Sequence, residues 1–346
     1  FWNIWESQYD NILFIICGSA TSWMITNVID SKGGLHDRIT VEMPIHPFTL
    51  KEAEAYLDSR HFVWNRQMIL QAYMVFGGIP YYLSLLDNED SLVQNVDFLF
   101  FSQDVQMRRE FRRLFNTLYK NPDKYIDIMK VLSEHRSGML RAEIAEKTGQ
   151  SGGSLTKILD NLQRCDFIES YSRFKSSVRN TLYRICDPYT LFYFRFLNGN
   201  NSKDEHWWTN NMLSHSVVSW QGFSFETICM LHLEQIKRRL GIGGISTNAS
   251  SWRKQGDSSE NGTQIDLVIE RADRIINLCE MKFSEGPYNI TKSYEEKLRQ
   301  RMAIFRAETK TTKSLATTMI TTYGILQGIH SSIVQSEVIM DDLFTY

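Results

Sequence analysis

Thr263-Gln-Ile-Asp-Leu-Val-Ile-Glu270 and Ile275-Ile-Asn-Leu-Cys-Glu-Met-Lys282 are two β-like stretches on which the C-terminal third of the chain is built. In a β-strand, residues two positions apart lie on the same face, so Glu280 and Lys282 point to one side while Met281 points into the packing. Asp266 lies on the first stretch. The sequence therefore predicts two neighbouring strands, one with Asp266 and the next with Glu280 and Lys282 on one face.

An acid on one strand and an acid-x-lysine on the next are what a Mg²⁺-dependent phosphodiesterase needs. Carboxylate oxygens bind hard cations, so Glu226, Asp266 and Glu280 are the predicted Mg²⁺ ligands. Glu226 lies early in a helical run predicted over residues 223–237. Lys282 can orient or activate a water, or stabilise negative charge on a phosphate. The alternative is an ordinary ion pair between Glu280 and Lys282 at the end of a strand.

The order of these elements resembles the restriction-endonuclease-like, or PD-(D/E)xK, superfamily over residues 217–346. The shared pattern is a helix with Glu226, a strand with Asp266, a strand with Glu280-x-Lys282, and then a helix and a strand. The resemblance implies that Glu226, Asp266, Glu280 and Lys282 are catalytic. The superfamily also contains members that only bind, so an active Mg²⁺-dependent deoxyribonuclease and a non-catalytic binding domain both remain open.

Residues 123–188 have the pattern of a winged helix. Leu155, Ile158, Leu159 and Leu162 have the spacing of one buried helix face. A loop rich in basic residues follows between strands predicted at 167–169 and 181–185. If the unit binds DNA, its third helix enters the major groove and the loop follows the phosphates. The predicted DNA-binding residues are then Lys157, Arg164, Arg173, Lys175 and Arg179. The alternative is a winged helix that docks a protein.

The N-terminal part begins with short apolar runs at residues 12–17 and 39–43, which are typical of buried parallel strands. Thr49-Leu-Lys-Glu52 is a capping box, and further helices are predicted up to residue 119. Phe76-Gly-Gly-Ile-Pro-Tyr-Tyr-Leu83 resembles the lid signature of STAND-like AAA+ ATPases of prokaryotes. The resemblance implies nucleotide-sensing positions for Ser19, at the end of the sensor strand, and for Arg38, where an arginine finger is often found. A helix N-cap and a surface arginine are the plain alternatives.

No G-x-x-x-x-G-K-[ST] motif occurs in the chain, so the cradle for nucleotide phosphates is missing. Because the chain also starts at Phe1, we expect a fragment that does not itself bind ATP, with ATP bound only by a longer parent protein. The aromatic run over residues 183–196 resembles the linker of an archaeal-type family that joins an AAA+ ATPase, a winged helix and a nuclease-like domain. Aromatic side chains at this density are expected to pack in a core or domain interface.

The expected fold is therefore a multidomain α/β + α chain. Its expected parts are a remnant of the AAA+ α/β core at 1–48, a helical lid at 49–122, a winged helix-turn-helix at 123–188, an aromatic linker at 189–216 and a restriction-endonuclease-like α/β domain at 217–346. The expected function is that of an AAA+ family ATPase that couples its nucleotide state to a nuclease-like domain acting on DNA. The alternative is a regulatory or signalling ATPase whose C-terminal domains only bind DNA or protein.

Composition limits the class of protein. The 346 residues are 42% hydrophobic and 12% aromatic, which is enough for packed cores, and the formal net charge is −2. No apolar run approaches the roughly 18 to 20 residues of a membrane span. The five cysteines are scattered, which favours free thiols in a reducing cytoplasm over a zinc site. We expect a cytoplasmic protein with DNA, a protein partner or a second copy of itself as partners, and no membrane contact.

Overall fold

The computed structural model of the chain describes residues 11, 13, 15–18, 24, 39–103, 105–176, 180–254 and 262–346. Within these ranges the chain has a mixed α/β fold, in which helices surround two β-sheets. Among the same residues, no helix is both long enough and apolar enough to cross a membrane.

Helices make up the fold between residues 50 and 118. They are α1 (Leu50–Ser59), α2 (Arg66–Phe76), α3 (Pro80–Ser84), α4 (Leu92–Val96), a π-helical continuation over Asp97–Phe101, and α5 (Gln106–Leu118). The predicted capping box starts α1: the Thr49 hydroxyl accepts a hydrogen bond from the Glu52 backbone N–H, and the Glu52 carboxylate accepts one from the Thr49 backbone N–H at 2.8 Å. This part of the sequence-based prediction is confirmed.

The segment before α1 differs from the prediction. The described residues within 12–17 and all of residues 39–43 form no strand, and most of their apolar side chains, such as Ile15, Val41 and Met43, are exposed. A strand requires a neighbouring strand to bond its backbone groups, and none of the strands that the structure describes pairs with these residues. The predicted buried parallel strands are therefore wrong for the residues that can be assessed.

The middle part combines helices with a small antiparallel sheet of order β1-β3-β2. Its elements are α6 (Pro122–Ser133), β1 (Met139–Leu140), α7 (Arg141–Thr148), α8 (Gly152–Arg164), β2 (Ile168–Tyr171) and β3 (Leu182–Ile185). The predicted apolar face of α8 is confirmed as buried. Asn161 of the same helix is also buried, and its side-chain amide donates to the Tyr125 hydroxyl at 2.8 Å.

The aromatic run packs as expected. It forms α9 (Pro188–Phe192), a π-helical turn (Tyr193–Leu197) and, after a loop, α10 (Trp207–Asn211). The ring of Phe192 lies 5.3 Å from that of Trp208 and 5.6 Å from that of Trp220, centroid to centroid. Since Trp220 belongs to the next helix along the chain, the aromatic residues join the helical part to the C-terminal part.

The C-terminal part is a five-stranded sheet of order β4-β5-β6-β7-β8, with β4, β5 and β6 antiparallel and β6, β7 and β8 parallel. Its elements are α11 (His215–Leu231), α12 (Leu233–Arg239), β4 (Thr247–Lys254), β5 (Thr263–Arg271), β6 (Ile275–Lys282), α13 (Lys292–Thr309), β7 (Ser314–Thr321), a short 3₁₀ turn (Ser331–Ile333), β8 (Ser336–Ile339) and α14 (Met340–Leu343). The two stretches singled out in the sequence are neighbours in this sheet. They lie near its centre, where side chains are positioned most firmly.

The helical run predicted over residues 223–237 is wrong in two respects. The helix begins at His215, so Glu226 lies about three turns into it and not near its start. The run is also interrupted at His232, where α11 ends and α12 follows. His232 is buried, and its ring accepts a hydrogen bond from the backbone N–H of Leu50 at 2.9 Å, which ties the first residue of α1 to the C-terminal part.

Candidate functional site

A cleft of about 1200 Å³ lies between the middle and C-terminal parts of the chain. The four residues predicted from the sequence, Glu226, Asp266, Glu280 and Lys282, all line it. Glu226 comes from α11, Asp266 from β5, and the other two from β6. Leu267 of β5 lies opposite Cys279 of β6, so Asp266 and Glu280 are the next residues along the paired strands. The structure therefore brings the predicted constellation together.

Glu280 is held by a set of donors on both carboxylate oxygens. Its Oε1 accepts a hydrogen bond from the Tyr294 hydroxyl at 2.7 Å and forms an ion pair with Lys282 Nζ at 2.7 Å. Its Oε2 accepts a hydrogen bond from the Arg301 guanidinium. Burial opposes ionisation of Glu280, but Lys282 and Arg301 outweigh burial and hold the pKa of Glu280 below its ordinary value. Glu280 is therefore an ionised side chain whose charge is already balanced.

Glu226 has the opposite electrostatic character. Burial in the cleft, and next the neighbouring Asp266 carboxylate, raise the pKa of Glu226 to about 8. At neutral pH Glu226 is therefore mostly protonated, as expected for a carboxyl group in a poorly solvated position beside other acids. A strongly shifted carboxyl group in a cleft is typical of a functional site.

The residue types fit a magnesium ion, but their arrangement does not yet form a ligand set. Carboxylate oxygens are the ligands that Mg²⁺ prefers. In the part of the chain that the structure describes, however, no three Asp, Glu, His or Cys side chains are gathered closely enough to hold a metal ion. Both oxygens of Glu280 are also already engaged, by Tyr294, Lys282 and Arg301.

Positive charge dominates the rest of the cleft. Six further basic side chains line it among the described residues: Arg136, Arg173, Arg184, Arg253, Lys297 and Arg301. Some are held in place by packing: the Arg136 guanidinium lies 5.1 Å from the centre of the Phe223 ring, and Arg184 Nε donates to Glu169 at 2.6 Å. With a net charge of only −2 over the whole chain, basic residues are concentrated here.

Five of these basic residues were not assigned to a site from the sequence. Lys297 and Arg301 both lie on α13 and both line the cleft. Their spacing of four residues, which places them on one face of a helix, is the signal that could have paired them. Arg136, Arg184 and Arg253 lie on separate elements, and no spacing in the sequence connects them.

One wall of the cleft is formed by contact between the middle and C-terminal sheets. A β-bulge takes Ser251 out of the register between β4 and β5, which leaves its backbone groups free to bond elsewhere. The Ser251 N–H donates to the Ser172 carbonyl at 3.2 Å, and the Phe174 N–H donates to the Ser251 carbonyl at 2.8 Å. The Phe174 ring lies 5.1 Å from that of Phe305 on α13, which fixes the loop against the C-terminal core.

The predicted DNA-binding residues separate into different surfaces. Lys157 and Arg164 are exposed on the outer side of α8 and do not line the cleft. Arg173 lines the cleft, whereas Lys175 is exposed and its Nζ donates to the Thr309 carbonyl at 3.4 Å. Arg179, and the two predicted nucleotide-sensing residues Ser19 and Arg38, lie outside the described residues.

Comparison of the chain with protein-family models, with curated proteins and with solved structures gave no match.

Proposed function

We propose that the cleft binds the phosphodiester backbone of DNA and that its acidic residues support Mg²⁺-dependent hydrolysis of that backbone. The observation that carries the proposal is the meeting of Glu226, Asp266, Glu280 and Lys282, from three separate elements, in one cleft otherwise lined by basic residues. Phosphate groups are neutralised mainly by arginine and lysine. The acids supply the negatively charged oxygens that a metal ion needs as ligands.

The roles of the residues follow from their environments. Asp266 and Glu280 would hold Mg²⁺ together with Glu226, which would have to release the proton that it carries at neutral pH. The bound ion would stabilise negative charge on the phosphate. Burial opposes protonation of Lys282, but Glu280 outweighs burial and raises the pKa of Lys282, so Lys282 acts as a cation beside the phosphate and not as a base. A water attacks the phosphorus and gives up a proton to the solvent, the P–O bond to the leaving oxygen breaks, and the leaving oxygen takes up a proton in turn. The products are a phosphomonoester and a hydroxyl group.

The proposal also assigns a domain type to each of the three parts of the fold. Helices α6, α7 and α8 with a three-stranded antiparallel sheet support a winged helix at 123–188. A sheet that is antiparallel at one side and parallel at the other, with helices α11 and α13 beside it, supports a restriction-endonuclease-like domain. The helices of residues 49–122 would then be the lid of an AAA+ ATPase that couples nucleotide state to the cleft.

A non-catalytic role is the second candidate. The pairing of Glu280 with Lys282 and Arg301 favours a cleft that binds a DNA backbone without a metal, because the acid then serves to position two cations. In this case the protein is a regulator whose C-terminal part docks DNA or a protein partner. Cleavage and binding measured on the same variants separate the two roles.

Asp266→Ala is the variant that tests hydrolysis. We expect the wild-type chain to cut plasmid DNA in the presence of Mg²⁺ or Mn²⁺, and Asp266→Ala to cut it about 100-fold more slowly, since a lost charge-stabilising group at a reacting phosphate has effects of this order. Asp266 Oδ1 accepts a hydrogen bond from Gln264 Nε2 at 2.6 Å. Asp266 is a cleaner choice than Glu280, whose removal would leave two cations without a partner.

Asp273→Ala is the matched control, because Asp273 pairs with Arg271 near the β5–β6 turn and does not line the cleft. It should cut DNA like the wild-type chain. Absence of cutting by the wild-type chain, together with a DNA mobility shift that weakens with salt, would favour the non-catalytic role. Absence of any shift at low salt would contradict hydrolysis and DNA binding alike, and would favour a regulator that docks a protein partner.

A further inference from the structure

Arg301 stands between the cleft and the most deeply buried acid of the site. The Glu280 side chain is 9% exposed, whereas those of Arg301 and Lys282 are 30% and 31% exposed. The two cations are therefore more accessible to solvent than the carboxylate that they hold. Lys282 belongs to the constellation expected from the sequence, but Arg301 comes from another element, α13, and is an addition to it.

The contact between Arg301 and Glu280 competes with cation binding. Arg301 uses Oε2 of Glu280, while Lys282 and Tyr294 share Oε1. A divalent cation that took Glu280 as a ligand while Arg301 stayed in place would meet a guanidinium on the same carboxylate. Two positive charges at such short range repel each other strongly in a poorly solvated position.

A phosphate group offers Arg301 a replacement partner. Guanidinium groups bind phosphate through two parallel hydrogen bonds, with a geometry similar to that of their bond to carboxylate. Arg301 lines the cleft together with Lys297, one helical turn away. A backbone phosphate between these two side chains would draw the guanidinium from Glu280 at little electrostatic cost.

We propose that Arg301 keeps Glu280 closed to divalent cations until a phosphate of the nucleic-acid backbone enters the cleft and takes over the guanidinium. The inference rests on the proposed function, since it concerns the same acids. It makes Arg301 a positioning residue that links substrate and cation. Uptake of metal and of nucleic acid is then cooperative, and each must tighten the binding of the other by the same factor.

Arg301→Gln tests this link through metal binding, without reference to cleavage. Free Mn²⁺ is measured by electron paramagnetic resonance with and without a short single-stranded oligonucleotide that carries phosphorothioate linkages. For the wild-type chain we expect the oligonucleotide to tighten Mn²⁺ binding at least tenfold. For Arg301→Gln we expect Mn²⁺ to bind at least tenfold more tightly than to the wild-type chain when no oligonucleotide is present, and the oligonucleotide to change this by less than threefold.

Arg299→Gln is the matched control. Arg299 lies on the same helix and pairs with Glu295 at 2.6 Å, but it does not line the cleft, so its loss should leave Mn²⁺ binding as in the wild-type chain.

Tyr294→Phe removes a donor from Glu280 without removing a charge, and we expect its effect to be smaller than that of Arg301→Gln. Circular dichroism of each variant checks that it is folded. The effect of Mn²⁺ on the affinity for the oligonucleotide is measured on the wild-type chain alone. This measurement tests the cooperative binding even if a variant does not fold.

The outcomes separate this inference from the proposed function. If the wild-type chain binds Mn²⁺ as tightly without the oligonucleotide as with it, Arg301 does not control uptake and the inference is overturned, while metal-dependent hydrolysis stands. The inference is also overturned, and metal-dependent hydrolysis again stands, if Arg301→Gln and the wild-type chain bind Mn²⁺ with equal affinity in the absence of the oligonucleotide. If no variant binds Mn²⁺ even with the oligonucleotide bound, both the inference and the metal-dependent reaction are overturned.

Discussion

Gly78→Ala is expected to lower the free energy of unfolding by about 4 kcal/mol, the sum of overpacking and lost hydrogen bonds. A Cβ at position 78 would lie 2.0 Å from the carbonyl oxygen of Phe48, which is a backbone atom and cannot rotate away. The same carbonyl accepts a hydrogen bond from the Tyr73 hydroxyl at 2.6 Å, and the Phe48 N–H donates to the Gly78 carbonyl at 2.7 Å. A methyl group would force these two segments apart.

Chemical denaturation at neutral pH measures this loss. Gly153→Ala is the control, since Gly153 lies in the first turn of α8 with no atom within 4 Å of the position of an added Cβ. Alanine should be neutral there, or stabilise by up to about 1 kcal/mol through its higher helix propensity. An unfolding midpoint of Gly78→Ala equal to that of the wild-type chain would show that the close approach of Phe48 to Gly78 is not maintained in solution.

Acid is expected to destabilise the chain through His232 by about 3 kcal/mol between pH 6.5 and pH 4. Burial lowers the pKa of His232 from 6.5 to about 4, against a smaller opposing effect of the Ile228 carbonyl. The unfolded chain takes up a proton on this histidine as the pH falls through 6.5, whereas the folded chain resists protonation until about pH 4. Stability from His232 is therefore complete above pH 6.5 and is lost as the pH falls towards 4.

Comparison with His232→Gln isolates this contribution, because other buried groups such as Glu226 titrate in both proteins. The difference in free energy of unfolding between wild type and variant should shrink as the pH falls from 6.5 to 4. His215→Gln replaces an exposed histidine on the same helix and should leave the wild-type pH dependence in place. A constant difference between wild type and His232→Gln across this pH range would rule out a neutral, buried His232.

Local signals in the sequence correctly predicted several elements. The side-chain pattern of Thr49 and Glu52 located the start of α1, and the alternation along residues 275–282 located β6 with Met281 buried between Glu280 and Lys282. These predictions depend on neighbours within a few residues, where sequence spacing translates directly into geometry. The described residues within 12–17, together with residues 39–43, show the limit of this reasoning, since an apolar run forms a strand only where another strand can pair with it.

The acids of the candidate site were predictable because each carries a recognisable pattern on a strand or helix. The surroundings of these acids were not predictable, because Arg301 reaches Glu280 from α13 and Arg184 reaches the cleft from the middle sheet. Arg301 and Glu280 are 21 residues apart, and Leu50 and His232 are 182 residues apart. Contacts over such separations produce no periodic pattern in the sequence. Contacts of this kind arise only when separate elements pack together.

The sequence by itself determined which acids and which lysine make up the candidate site and on which elements they lie, because hydrophobic periodicity and caps are local properties of the chain. Only the tertiary structure decided that these acids share one cleft with arginines from other elements. It also decided that the negative charge of Glu280 is balanced there by Lys282 and Arg301. The physical reason is that the charge state and partners of a side chain depend on burial and on neighbours in space. Both are set by the packing of distant segments.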